Sequence, residues 1–434
     1  MTLDEQFGNS SRDLWFAIDY GTSNSLLAVT DGKSTSTPLA IDPLASDPTI
    51  LRSLLYFADQ NHCFYGSEAI RSYIELEGEG RLIRSIKKYL PSESFIGSWI
   101  EDRLVRLEDL IGYFLLEMRK RACVLLNRDV TSVMLGRPAR FSPDPAKDRL
   151  AQYRLTKAAE LAGFKRIEFL PEPLAAAFDL RRQLQERRTV LVVDLGGGTS
   201  DFTVIEIGPQ PFKDSDVLAL GGVSIAGDVM DGKLMEYEIA PYLGSQVRYR
   251  VPLARNILQM PRSLLDNICS PADIAQIRRG EFYPFFQQLR KWTLSKEDGE
   301  RLNRLAVLIE EQLGFQIFEQ IEGCKRRLSD LKETQFVFDY PGIELDFPIQ
   351  QTGFRTAIQT DVEKIFAVME ETLSAAGMGP EQIDMVYCTG GTSKLSLIQA
   401  GLERRFGAAK IMKNRYFHSV IEGLTERTRE ILGS

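Results

Sequence analysis

The sequence predicts an α/β protein built of two similar lobes, each a mixed sheet flanked by helices, and two observations carry that expectation. Short apolar, strand-like runs alternate with stretches of helical periodicity along the chain. One glycine-turn motif also occurs twice: Ile18-Asp19-Tyr20-Gly21-Thr22-Ser23-Asn24 returns, altered, as Val193-Asp194-Leu195-Gly196-Gly197-Gly198-Thr199-Ser200-Asp201. Asp19 and Asp194 stand 175 residues apart, too far for a solenoid repeat and suited to two domain-sized halves.

In each copy an apolar run ends in an aspartate, turns through glycine and hydroxyl residues, and enters a second apolar run. Glycine lets backbone N–H groups approach a ligand, and successive N–H groups in a tight turn form an anion-binding concavity. The aspartate can hold a cation directly or through its waters. Two such turns face to face would grip a polyphosphate and its magnesium, whereas ordinary glycine hairpins would bind nothing.

Taken in order, residues 14–30 read as a hairpin, followed by a Ser/Thr/Pro/Asp-rich loop over 31–49. Leu51–Phe57 and Cys63–Tyr65 read as strands, and about Ser67–Ile74 and Leu107–Leu126 as helices. Ser132–Leu135 is a short buried strand. Asp144-Pro145 starts a helix as N-cap and first residue, with Leu155, Ala158 and Leu161 inside and Gly163 at its end. Ile167–Leu170 is a strand stopped by Pro171-Glu172-Pro173, before a small-residue helix Leu174–Leu180. A second lobe opens near Thr189. Its middle, 232–352, is mainly helical and then strand-like at Gln335–Phe338 and Ile343–Phe347, and strand, glycine turn and helix return over Met385–Phe406.

Composition bounds the rest. The 434 residues are 44% hydrophobic and 26% charged, the balance of a globular protein, and the net charge of −7 gives no footprint for nucleic acid or an anionic membrane. No apolar stretch is long enough to span a bilayer, and the polar start over 1–12 reads as a disordered tail rather than a secretory signal. Five scattered cysteines and two histidines argue against a disulfide framework, a zinc site or a Ser–His–Asp triad, and point to a reducing, cytoplasmic compartment.

Three further features have both a bland and a functional reading. Thr389-Gly390-Gly391-Thr392-Ser393 lies between a strand and a helix, a common structural joint that also favours an anion or flat polar ligand. On a helix over Ile317–Leu331, with Ile317, Ile321, Leu328 and Leu331 on its buried face, Glu322, Lys325, Arg326 and Ser329 share the other face. On pattern alone that face is a solvated stripe with a Glu322–Arg326 ion pair. Glu172, Lys87 and Lys88 read as surface charges unless something more is known.

Together these motifs resemble the nucleotide-binding part of the seventy-kilodalton heat-shock chaperones, within the actin and hexokinase superfamily of ATPases. The two aspartate–glycine turns resemble the family's phosphate motifs, Pro171-Glu172-Pro173-Leu174-Ala175-Ala176-Ala177 its Glu-Pro turn, Gly390-Gly391-Thr392-Ser393 its adenosine motif, and Glu322–Ser329 its adenine-contacting helix. The resemblance runs from about residue 13 to 430 and changes the reading of every ambiguous feature. It implies a two-lobed actin-like ATPase fold with a deep inter-lobe cleft for ATP or ADP, with Mg2+ and with K+ as a further candidate ion. Asp19, Asp194 and Asp201 would surround the magnesium and its waters. Gly21, Thr22, Ser23 and Asn24 on one side and Gly196, Gly197, Gly198 and Thr199 on the other would hold phosphates. Glu322, Lys325, Arg326 and Ser329 with Gly390, Gly391, Thr392 and Ser393 would hold the nucleoside. Lys87, Glu172, Asp194 and Thr199 would serve hydrolysis, with Lys88 a near alternative to Lys87.

The domain expectation is a tail at 1–12, lobe I over 13–185 with a smaller part at about 40–124, lobe II over 186–413 with an enlarged upper part at about 232–356, and a segment 414–434 packing back on lobe I. Three departures from the family are expected to matter. No peptide-binding domain follows, which predicts a slow ATPase switch without the usual client binding. The stretch from Asp231 to Glu322 is long. Tyr416-Phe417-His418 replaces an acidic contact. Expected partners are nucleotide and a protein partner or co-chaperone, with neither nucleic acid nor membrane. A small-molecule or sugar kinase and a filament-forming actin-like protein are the alternatives.

Overall fold

The computed structural model describes residues 7, 13–279, 282–413 and 418–433. Most of the expected tail and both Tyr416 and Phe417 lie outside the described residues. Phe7 is within them and fully buried, its carbonyl accepting from Arg128 at 2.9 Å. The chain divides into two compact units: Met1–Gly227 with Glu363–Lys394 and Ile398–Ser434, and Asp228–Val362 with Leu395–Leu397.

The first unit holds two five-stranded mixed sheets of the same topology. One contains β1 (Trp15–Tyr20), β2 (Asn24–Thr30), β3 (Leu51–Arg52), β4 (Ser132–Arg137) and β5 (Arg166–Pro171), in the order β5-β4-β1-β2-β3. The other contains β6 (Arg188–Leu195), β7 (Ser200–Ile207), β8 (Val217–Val223), β9 (Met385–Thr389) and β10 (Ile411–Lys413), in the order β8-β7-β6-β9-β10. In both, the central strand pairs antiparallel with the strand that follows it and parallel with a strand on its other side. The duplicated motif therefore marks a duplicated sheet, with each glycine turn closing the central hairpin.

The middles of these central strands, Trp15–Ile18 and Val190–Val193, are apolar and buried because both faces are covered. Phe16 and Ile18 of β1 join a core with residues of α1 (Leu107–Leu126) and α2 (Pro145–Leu161), among them Phe114, Met118, Leu155 and Ala158. Ala17 faces the opposite core, with Ala175, Ala176 and Phe178 of α3 (Glu172–Arg181). That second core also takes Val190, Val192 and Tyr387 from the second sheet, so α3 is shared between the sheets. Its small residues have a reason. A Cβ at Gly423 of the last helix (Ser419–Gly433) would lie 1.7 Å from the Ala175 carbonyl, so the two helix backbones touch there.

Several sequence expectations shift. The run Leu51–Phe57 splits at Ser53, and Leu54–Phe57 joins a separate small sheet with Cys63–Tyr65 and Arg81–Arg84. Asp144 caps α2 as expected, accepting from the Ala146 and Lys147 N–H groups, but Leu161 is its last residue and is exposed. Glu172 is not in a free turn: it opens α3, which starts two residues earlier than the small-residue run. In the second unit, the expected strands become a hairpin, Glu333–Tyr340 with Ile343–Gln350, and the helix expected to reach Leu331 runs over Gly314–Leu328. With the helix ended, Leu331 loses the buried register and is exposed.

Candidate functional site

The two central hairpins bring their turns together. Asp19 is the penultimate residue of β1, and Gly21 needs its missing side chain, since a Cβ would lie 2.3 Å from the Asn24 carbonyl oxygen. In the second sheet Asp194 and Asp201 are direct cross-strand partners flanking Gly196–Thr199, a turn closed by the Gly196 N–H donating to the Thr199 carbonyl at 3.0 Å. A Cβ on Gly198 would approach the Thr22 hydroxyl oxygen to 2.5 Å, so the two turns are in contact. The third turn joins them: Thr392 Oγ1 donates to the Gly196 carbonyl at 2.7 Å, and Ser393 Oγ closes its own turn on the Gly390 carbonyl at 2.7 Å. Gly390 has φ +76, and a Cβ there would meet the Leu195 carbonyl oxygen at 2.2 Å. Gly390→Ala is accordingly expected to cost about 1–3 kcal/mol, read as a lower denaturant midpoint at unchanged slope.

Lys87 is placed where α3 begins. Its ammonium donates to Glu172 Oε1 at 2.6 Å, with both side chains nearly buried, and lies 5.8 Å from the centre of the Tyr20 ring. Lys88 is exposed and turns instead over Tyr89, at 4.8 Å. The structure thus brings Lys87, and not Lys88, to the acidic residues.

The electrostatics of that cluster are unbalanced. Removal from water and repulsion by Glu172, partly offset by Lys87, push Asp19 up to about 7. Burial and Glu172 likewise push Asp201 up to about 7, against the hydrogen bonds from Thr199 and the Ala139 N–H and the pull of Lys87. Asp194 rises well above the ordinary carboxylate range through burial and then Glu172, Asp201 and Asp19, with Lys87 opposing. Four carboxylates thus influence one another around one ammonium, an arrangement that calls for further positive charge.

A hydrated divalent cation carrying a polyphosphate fits this set. Asp201 Oδ2 is buried without a partner, while its Oδ1 accepts the Ala139 N–H at 2.8 Å. Among the described residues no three acidic, histidine or cysteine side chains converge closely enough to ligate a bare ion, so contact through the ion's waters suits the spacing.

Glu322, Lys325, Arg326 and Ser329, expected to hold the nucleoside, belong to the second unit. They are not a uniformly solvated stripe. Lys325 Nζ donates to the buried Asp231 at 2.7 Å, whereas Arg326 is well exposed and pairs with Glu322 at 2.5 Å, as the pattern predicts. Burial lifts Asp231 to about 6 despite Lys325. Ser329 is the helix C-cap, its hydroxyl donating to the Lys325 carbonyl at 3.4 Å.

Sequence reasoning missed Ala139, whose N–H fixes Asp201, and Asp231, which pins Lys325. Ala139 had a signal: Pro138-Ala139 follows the carboxyl end of the parallel strand β4, where open sheets place their sites. Asp231 had none, being 94 residues from its partner.

The fold, two mixed sheets of identical order flanked by helices, is of the actin-like ATPase type. The model of the Hsp70 protein family matches residues 84–256, a span that includes Lys87, Glu172, Asp194 and Asp201. The chain is 24% identical over 409 residues to the chaperone protein DnaK of Thermosipho melanesiensis, covering 92% of this chain and 56% of that protein. Together these similarities support an Hsp70-family nucleotide-binding domain, and the chain spans little more than half the length of the relative it matches.

Proposed function

We propose that this chain binds Mg-ATP at its glycine turns and hydrolyses it slowly, acting as a nucleotide-driven conformational switch with a protein partner or co-chaperone in the cytoplasm. The observation that carries the reading is the buried Lys87 facing Glu172, with Asp19, Asp194 and Asp201 acting on the same pair, beside two glycine turns in contact. Similarity to the Hsp70 family, whose members are ATPases, supports it. No described helix is long and apolar enough to cross a membrane.

In this reading the N–H groups of Gly21–Asn24 and Gly197–Thr199 hold phosphate oxygens, with Gly196 closing the second turn, and Lys87 offsets charge that develops on the transferred phosphoryl group. Magnesium would supply further charge neutralisation, held through its waters by Asp19, Asp194 and Asp201. Glu172 or Asp194 orients the attacking water and accepts its proton, and Thr199 lines the phosphate turn. Gly390–Ser393, whose turn bonds the Gly196 carbonyl, form the nucleoside side of the site, and the resemblance assigns nucleoside contact to Glu322, Lys325, Arg326 and Ser329 of the second unit as well.

Calorimetry with ATP and ADP, with and without Mg2+, tests the reading, and folded protein that binds neither nucleotide ends it. Arg326→Ala separates the nucleoside clamp from a solvated face. ATP affinity is expected to fall about 10-fold, the loss of one charge-assisted contact, while tripolyphosphate binds as before. Equal ATP affinity in both proteins returns Arg326 to a surface role.

A further inference from the structure

A basic and apolar hairpin stands out on the second unit. Between Glu238 and Asp266 the chain has four arginines and no carboxylate, in a protein of net charge −7. Arg248–Tyr249 pairs antiparallel with Leu258–Gln259, and every residue from Pro252 to Gln259 is exposed, including Leu253, Ile257 and Leu258. Among the described residues, Arg262 is the one of the four whose guanidinium has an acidic partner, bonding Glu236 at 2.6 Å and Asp266 at 2.8 Å; Arg248 meets Asp298 only through its backbone N–H, at 3.4 Å. The guanidinium groups of Arg248, Arg250 and Arg255 have no acidic partner among the described residues.

The base of this hairpin is rigid. Tyr249 is buried against Phe285 and Trp292, with ring centres 6.2 and 6.3 Å away, and the Arg250 N–H donates to the Trp292 carbonyl at 3.0 Å. Its tip is strained. The Ala254 N–H donates to the Val251 carbonyl at 3.0 Å, closing a turn with Pro252 and Leu253 at its corners, and Leu253 has φ +67. That left-handed corner suits glycine or asparagine. A γ-branched apolar residue there gains nothing from the fold, because its side chain touches water alone.

We propose that this hairpin is a docking finger for a protein partner offering an apolar pocket rimmed by carboxylates. Leu253 would fill the pocket, with Ile257 and Leu258 widening the apolar contact and Arg248, Arg250 and Arg255 meeting the rim. The unpaired arginines make the patch complementary to an acidic surface. The fixed turn geometry favours a partner that reads shape, since a fluid bilayer gains nothing from a preset leucine. The acidic remainder of the chain would also be repelled by an anionic membrane.

The probe is a random peptide library displayed on phage and selected on the full chain, followed by titration of the selected peptides in solution. Selected peptides are expected to combine Asp or Glu with aromatic or aliphatic residues and to bind more weakly as salt rises. Arg255→Glu and Leu253→Asn are each expected to weaken them about 10-fold or more. Leu253→Asn should at the same time raise the melting temperature by relieving the corner, which separates lost docking from lost folding. Peptides without acidic bias, or binding indifferent to both substitutions, overturn the proposal. So does hairpin-dependent binding to phosphatidylserine vesicles, or hairpin-dependent self-association in sedimentation, in place of peptide binding. The test does not involve nucleotide, so its failure leaves the nucleotide reading standing.

Discussion

Lys87→Ala is expected to slow ATP hydrolysis about 100-fold or more, the usual cost of removing one preorganised charge at a transferring group, while ATP affinity changes little. The basis is the position of Lys87, 2.6 Å from Glu172 and acting on Asp19, Asp194 and Asp201 together. Its charge is most useful where negative charge grows, in the transition state. Lys88→Ala, on an exposed side chain over Tyr89, should leave the rate within about twofold. Single-turnover kinetics beside calorimetry read the two effects separately. A cost in stability should accompany the loss, because the nearly buried Glu172 side chain would lose its ammonium partner, and breaking such a pair costs about 3–5 kcal/mol. Glu172→Gln in the same background replaces the unpartnered carboxyl with a neutral amide and should restore stability without restoring the rate. A rate lost in Lys88→Ala and kept in Lys87→Ala would reverse the assignment.

The second large effect is a dependence on pH. Without nucleotide, stability is expected to fall as pH rises from about 4 to about 7. Asp19 and Asp201 hold protons up to about 7 in the folded chain, against an ordinary value of 3.8. Between those values the folded state binds more protons than the unfolded state, so its advantage shrinks as pH rises and is lost above 7. For Asp201 alone the shift corresponds to on the order of 4 kcal/mol as an upper bound. Asp179 and Asp231, each near 6, act in the same sense. Asp47, Asp216 and Glu236, held below their ordinary values by hydrogen bonds and cationic neighbours, act in the opposite sense only at lower pH. Denaturant midpoints from pH 4.5 to 8 should show the fall. Asp201→Asn, which keeps an acceptor for the Ala139 N–H, should flatten it. Mg2+ with ADP should flatten it too, by supplying the missing positive charge. Stability that rises steadily to pH 8 without nucleotide would contradict the carboxylate cluster.

Much of this was legible in the chain because it was local. A buried strand read as an apolar run, the cap Asp144 sat directly before Pro145, and the two glycine turns repeated the same residue types at the same strand ends. Element boundaries were less legible where a neighbour decided them. Glu172 joined a helix because Pro173 suits its first turn, and Leu331 fell outside one because the helix stopped at Leu328. Helical periodicity over Glu322–Ser329 described a face without saying what met it. Lys325 proved to be held by Asp231, while Arg326 stayed exposed.

By itself the sequence determined the two-sheet α/β plan, the three glycine turns and the acidic residues beside them, since each rests on backbone freedom or on a short pattern of side chains. Only the tertiary structure decided that Lys87 rather than Lys88 meets Glu172, that the Ala139 N–H holds Asp201, and that Gly198 packs against Thr22. These pairs lie between 62 and 176 residues apart, and no local propensity links them. Their meeting depends on the small α3 helix, whose backbone approaches that of the last helix closely enough to exclude a Cβ at Gly423. Charges that look solvated along the chain become a coupled, buried cluster only when packing removes the water between them.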